Sequence, residues 1–234
     1  MNILRSIKRN IPNTITCMNL LSGCIATIFA FQYNKEFGTL QGYQIAFIFM
    51  AAAVIFDFCD GLSARLLRAY SAMGKELDSL SDLISFGFAP AALVYNMMLL
   101  NGAGIWALGA FLITVFGALR LAKFNIDENQ STTFTGLPIP ANAIFWVGYL
   151  SWVGDYGYPG TVLTLIFVVL LSYAMVSKVR MFSLKIKDFA WRNNVRRYAL
   201  ILGTVLFVAF QKIPGLAWAI AFYVILSITS RREK

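Results

Sequence analysis

The sequence predicts an all-α polytopic membrane protein with about eight transmembrane helices and both termini in the cytoplasm. Three observations predict it. Hydrophobic residues make up 59% and charged residues 13% of the 234 positions, and the mean hydropathy is +0.67, too apolar for a water-soluble domain of this length. Apolar stretches recur along the whole chain, separated by short polar connections. The Lys and Arg residues fall almost entirely in alternate connections, as the positive-inside rule requires.

In chain order the apolar stretches are Ile15 to Gln32, Gly42 to Phe58, Leu80 to Leu100, Gly104 to Leu121, Ile139 to Val153, Gly160 to Val176, Ala199 to Phe210 and Pro214 to Ile228. Several fall short of the ~20 residues that a span needs, and flanking residues are expected to carry those helices into the interface. A short basic segment, Asn2 to Asn10, precedes the first stretch and is suited to the inner membrane surface. Leu21-Ser22-Gly23-Cys24 resembles a lipid-attachment box, but the apolar run continues past the cysteine, so the first stretch reads as an uncleaved anchor. Cys17, Cys24 and Cys59 lie in or beside apolar runs at spacings that match no metal motif, and they read as packing residues.

With the N-terminus inside, 18 of the 20 Lys and Arg residues are cytoplasmic, leaving Lys35 and Lys212 outside. The formal charge of +9 is thereby a topological signal rather than a nucleic-acid surface, and no nucleic acid is expected as a partner. The chain reads as a single membrane domain, 1–234. A six-span core occupies 1–180, a basic cytoplasmic segment 181–197, and two further spans 198–234. The basic segment is expected to lie against anionic headgroups.

The chemistry concentrates in one place. Asp57, Asp60, Glu76, Asp78 and Asp82 are five of the eleven acidic residues, gathered between the second and third apolar stretches. On helices, Asp57 and Asp60 are i,i+3 with Gly61 and Ala64 on the same face, while Gly74, Asp78 and Asp82 follow at i,i+4,i+8. Two pairs of carboxylates are therefore expected to face each other across an antiparallel helix pair. Glu76 points off that face. Carboxylates within a membrane helix cost roughly 2.5–3.5 kcal/mol each, so four need compensation. Arg65, Arg68 and Lys75 are too few to neutralise five acids. Four oxygen donors without His or Cys suit hard cations such as Mg²⁺ or Mn²⁺, and two such ions stabilise the attacking and leaving oxygens of an in-line phosphoryl displacement. Gly61, Ala64 and Gly74 leave room for a bulky nucleotide. The chain contains no histidine, so a carboxylate must take the proton, and Asp82, farthest along its helix, is the candidate.

Together these residues read D-x2-D-G-x2-A-R-x8-G-x3-D-x3-D from Asp57 to Asp82, which resembles the signature of the CDP-alcohol phosphatidyltransferases. The resemblance implies a six-span core and cleavage of a CDP-lipid pyrophosphate with release of CMP. It implies two divalent cations held by Asp57, Asp60, Asp78 and Asp82, with Asp82 also the proton acceptor. Gly61, Arg65 and Ser71 would contact the CDP moiety, beside the small residues Ala64 and Gly74. Pro12-Asn13-Thr14-Ile15-Thr16 resembles the family's Pro-Asn-x-x-Thr start, so Asn13 and Thr16 are expected at the nucleotide; Asn19 stands near the place of a usual arginine.

Three downstream segments are similar to the bacterial phosphatidylserine synthases of that family: Gly117 to Asn125, Phe134 to Ala141 and Ala174 to Arg180. They imply CDP-diacylglycerol and L-serine as substrates. Arg120, Lys178 and Arg180, at the inner ends of spans, are the candidates for holding the serine carboxylate. Another acceptor, glycerol 3-phosphate or an inositol derivative, would use the same chemistry in a more cationic pocket. A cation-coupled transporter is the rival from a different class. The expected setting is a bacterial inner membrane, with the site facing the cytoplasm and the protein assembled as a homodimer.

Overall fold

The computed structural model describes residues 3–126, 134–182 and 191–229. Eight helical rods account for nearly all of them. Four are long and apolar enough to cross a bilayer: Asn10–Phe31, Gly42–Leu67, Ala72–Leu100 and Gly104–Ile126. The chain is thus an all-α membrane protein. Its outward faces carry large apolar side chains such as Ile55, Phe58, Leu170, Leu202 and Phe210. Much of the interior is instead built from Ala, Met and small polar residues, the pattern of helices that pack closely in lipid.

The chain folds as two compact units, 1–118 and 119–234. In the first, α1 (Ile3–Phe31) contains Pro12 and continues unbroken through Cys24. A two-residue hairpin, β1 (Glu36–Phe37) and β2 (Leu40–Gln41), turns the chain into α2 (Gly42–Leu67). The capping box of Gln41 and Gln44 starts α2, and Arg68 in the left-handed conformation, φ 51°, ends it. Ser71 caps α3 (Ala72–Asp82), its hydroxyl accepting from the Gly74 N–H at 2.9 Å. A π-helical turn, Leu83–Phe88, joins α3 to α4 (Ala89–Leu100) in one rod. A 3₁₀ stretch, Gly104–Phe111, then leads into α5 (Leu112–Ile126).

The helices of the signature extend past the apolar runs, as the helical spacing of the aspartates requires. The second continues beyond Phe58 to Leu67 and the third begins at Ala72 rather than Leu80, so all four aspartates sit inside helices. Capping residues and polar helical turns extend an element past the point where hydropathy falls. The expected face-to-face pair is also mediated: α1 packs along both α2 and α3 and carries much of the contact between them.

In the second unit, α6 (Ile139–Tyr156) packs on α9 (Gly215–Thr229), and α8 (Trp191–Gln211) packs on α9 as well. α7 (Thr161–Val176) follows α6, with Tyr149 and Thr164 joining their hydroxyls at 2.7 Å. Short strands β3 (Phe134–Thr135) and β4 (Arg180–Met181) pair antiparallel. Of the basic segment 181–197, residues 183–190 lie outside the described residues, and Trp191 onward already belongs to α8.

Candidate active site

α2 and α3 each present aspartates one turn apart. Asp57, Asp60 and Asp78 each place one carboxylate oxygen within 4.8 Å of the others. Asp60 is buried, and Asp57 and Asp78 are half-buried. Three like charges so close are stable only with protons or a cation among them, and an oxygen-only donor set suits a hard divalent ion. The residues present therefore fit such a metal. Asp82, one turn beyond Asp78, stands outside that trio, with an oxygen 3.5 Å from the Asn19 amide nitrogen.

Beside the trio opens a cleft of about 230 Å³. Asp60 and Asp78 form its acidic end, and Asn13, Thr16, Gly61, Ala64, Ser71 and Gly74 line it. Six of the seven residues assigned to the CDP-lipid from the sequence thus meet around one cavity. Arg65, the seventh, is exposed and donates its Nε–H to the Gly61 carbonyl at 3.0 Å. Tyr70 and Lys75 also line the cleft, and nothing in the spacing of acidic and small residues pointed to them.

The two glycines act differently. A Cβ at Gly61 would meet only Arg65 Nη2, at 3.7 Å, so this position is open toward the cleft. A Cβ at Gly74 would lie 3.0 Å from both Asn13 Oδ1 and Ser71 Oγ, so its absence lets α1 approach the start of α3.

Sequence reasoning placed Asn13 and Thr16 at the nucleotide and missed the hydrogen bonds by which α1 reaches α2 and α3. The Thr16 hydroxyl donates to Asp60 at 2.6 Å, and the Ser81 hydroxyl donates to the Thr16 carbonyl at 3.1 Å. Ser85 lies 2.7 Å from Asn19 Oδ1 and 3.0 Å from the Asn19 carbonyl. The available signal was a set of small polar residues at helical spacing, Thr16 and Asn19 on one helix and Ser81 and Ser85 on another, in otherwise apolar spans.

In the second unit the three downstream segments converge. Gly136, at φ +79°, donates its N–H to Val179 at 2.8 Å, and Leu137 donates to Ala174 at 3.0 Å. Arg120, Lys123, Phe124, Thr135, Met175, Val176 and Ser177 enclose a niche of about 10 Å³, the room of a single water. Arg120 lies over the Phe124 ring at 5.6 Å, and Lys123 donates to the Val176 carbonyl at 3.3 Å. Lys178 is exposed beside this niche. Arg180 pairs with Thr135 through the β3–β4 ladder, and its side chain lies outside the described residues.

Apolar helices that gather three carboxylates beside a cleft define a membrane protein with a site suited to a hard divalent cation. Residues 9–179 match the model of the CDP-alcohol phosphatidyltransferases, and the chain belongs to that family. It is 37% identical over 170 residues to a protein of Bacillus subtilis (strain 168), covering 73% of this chain and 88% of the relative. A Helicobacter pylori (strain ATCC 700392 / 26695) relative is 32% identical over 222 residues, 93% of this chain and 89% of its own. A third, from Methanocaldococcus jannaschii, is 34% identical over 170 residues, covering 73% and 72%. All three are named CDP-diacylglycerol–serine O-phosphatidyltransferase.

Proposed function

We propose that this protein transfers the phosphatidyl group of CDP-diacylglycerol to L-serine, giving phosphatidylserine and CMP. The observation that carries the reading is the Asp57–Asp60–Asp78 trio opening onto a cleft lined by the small residues of the same signature. The names of relatives that cover up to 93% of this chain support serine as the acceptor.

In this reaction the serine hydroxyl oxygen attacks the phosphorus that bears the diacylglycerol, and the bond from that phosphorus to CMP breaks. Asp82 accepts the hydroxyl proton. The Thr16 hydroxyl holds Asp60 in place, and Ser81 ties α3 to the Thr16 carbonyl. Gly61 and Ala64 leave space for the nucleotide, and Asn13, Ser71 and Gly74 line its path. Asp57, Asp60, Asp78 and Asp82 would hold two divalent cations, Mg²⁺ or Mn²⁺, which supply charge stabilisation for the diphosphate when bound. Arg120, Lys178 and Arg180 are the proposed contacts of the serine carboxylate, supported by the convergence of their segments and the charge they share.

The proposed arrangement has eight spans, both termini in the cytoplasm, and the site at the cytoplasmic side of an inner membrane. The alternation of basic residues supports it. The acyl chains then stay in the bilayer while the headgroup reacts at its edge. Incubating purified protein with CDP-diacylglycerol and isotope-labelled serine tests the proposal. Label recovered as phosphatidylserine supports it; label that stays in the aqueous phase while CDP-diacylglycerol is consumed contradicts it.

A further inference from the structure

Asn19 lies in the apolar span of α1 and is fully buried, as is Ser85 on the π-helical turn. Two devices bring them together. The π turn places Ser85 directly after the helix that carries Asp78 and Asp82, in a geometry that inserts one residue and is frequent at functional sites. Gly23, one turn beyond Asn19, lets the helices close, since a Cβ there would lie 2.8 Å from the Ser85 Cα and 2.9 Å from its N.

The bond between them fixes the amide. The Ser85 hydroxyl reaches two acceptors on Asn19, Oδ1 at 2.7 Å and the backbone carbonyl at 3.0 Å; with its one proton on the nearer Oδ1, the amide oxygen turns toward α3's continuation and Nδ2 faces Asp82 Oδ1 at 3.5 Å. The opposite flip would set a carbonyl oxygen against a carboxylate. Asp82 is the one aspartate of the four outside the close trio, and its distance to Nδ2 is at the outer limit of a hydrogen bond, so a small movement decides whether it joins.

We propose that Asn19, oriented by Ser85, is a positioning residue that aims the Asp82 carboxylate at the Asp57–Asp60–Asp78 trio. The inference rests on the metal-dependent reading above and adds to it a second layer supplied by α1, with Thr16 holding Asp60 and Asn19 holding Asp82. Partners that orient ligands in this way typically set metal affinity or activity within about 10- to 100-fold.

The test is Mn²⁺ binding by purified full-length protein in detergent, titrated calorimetrically, alongside CMP release. Asn19→Leu removes the amide, and Ser85→Ala removes only the orienting oxygen. Each should weaken Mn²⁺ binding and turnover about 10-fold or more. The double variant should be no worse than Asn19→Leu alone, because Ser85 acts through Asn19. Ser22→Ala, which removes a hydroxyl bonded to its own helix at Met18, should match the parent in both readouts. A purely structural role would lower the thermal midpoint and leave Mn²⁺ affinity unchanged well below it. If Asn19→Leu does not fold, Ser85→Ala carries the comparison. Parent-like Mn²⁺ affinity and turnover in Ser85→Ala, or additive losses in the double variant, would overturn the inference. A parent protein that binds no Mn²⁺ or releases no CMP would instead overturn the functional reading beneath it.

Discussion

Thr16 of α1 donates a hydrogen bond of 2.6 Å to the carboxylate of Asp60 on α2, and both residues are buried. A charge-assisted bond this short is stronger than an ordinary hydroxyl contact and fixes one carboxylate orientation. Thr16→Val keeps the shape and deletes the hydroxyl. It should lower turnover about 10- to 100-fold at fixed metal concentration. Thr16→Ser, which restores the donor, should recover most of the loss. Equal activity in Thr16→Val and the parent would remove this bond from the account.

The aspartates are expected to separate by role. Asp82→Asn keeps a neutral oxygen but removes the proton acceptor, so CDP-lipid binding should largely survive while turnover falls on the order of 10²- to 10⁴-fold. Asp57→Asn should weaken metal affinity and recover in part at raised Mg²⁺. Glu76 is exposed on another face of α3, so Glu76→Gln should be nearly silent. Metal titrations of kcat and KM for the three variants check this pattern, and a Glu76→Gln as inactive as Asp82→Asn would reverse the assignment.

Two glycines distinguish packing from substrate space. Gly23→Ala presses a methyl against the Ser85 backbone and should cost about 1–3 kcal/mol of stability, read as a lower thermal midpoint in detergent. Gly61→Ala meets only the end of Arg65 and should leave the midpoint unchanged while raising KM for CDP-diacylglycerol. A Gly61→Ala protein with parental KM would show that nothing bulky passes that position.

Topology follows from the distribution of basic residues. In a background with Cys17, Cys24 and Cys59 replaced, single cysteines at Ser71 and Asn193 should react only from the cytoplasmic side and one at Asp155 only from outside. Labelling of positions 71 and 155 from the same face would contradict the proposed arrangement.

The parts of this protein legible in its sequence are the local ones. Asp57 with Asp60, and Gly74 with Asp78, share a face because helical spacing alone decides it, and Asn13, Thr16, Gly61, Ala64, Ser71 and Gly74, each singled out in the sequence, line one cleft. Helix ends were less legible, because the Ser71 cap and the polar turns of α3 lie outside the hydropathic run. Asn19 and Ser85 were legible as polar residues in apolar spans, but their bond to each other was not. It joins residues far apart in the chain and depends on a π turn and on a glycine whose packing value appears only once the helices are in place. Likewise, Arg120 on α5 and Ser177 at the end of α7 are separate features of the sequence, and only the folded chain sets both around one niche.

The most direct measurement of the central claim is CMP release by the purified protein supplied with CDP-diacylglycerol and one acceptor at a time: serine, glycerol 3-phosphate or inositol phosphate, with Mn²⁺ present and then chelated. The account predicts CMP with serine alone, abolished by chelation and restored by added Mn²⁺ or Mg²⁺. Release with a different acceptor and not with serine, or full release in a metal-free preparation, would contradict it.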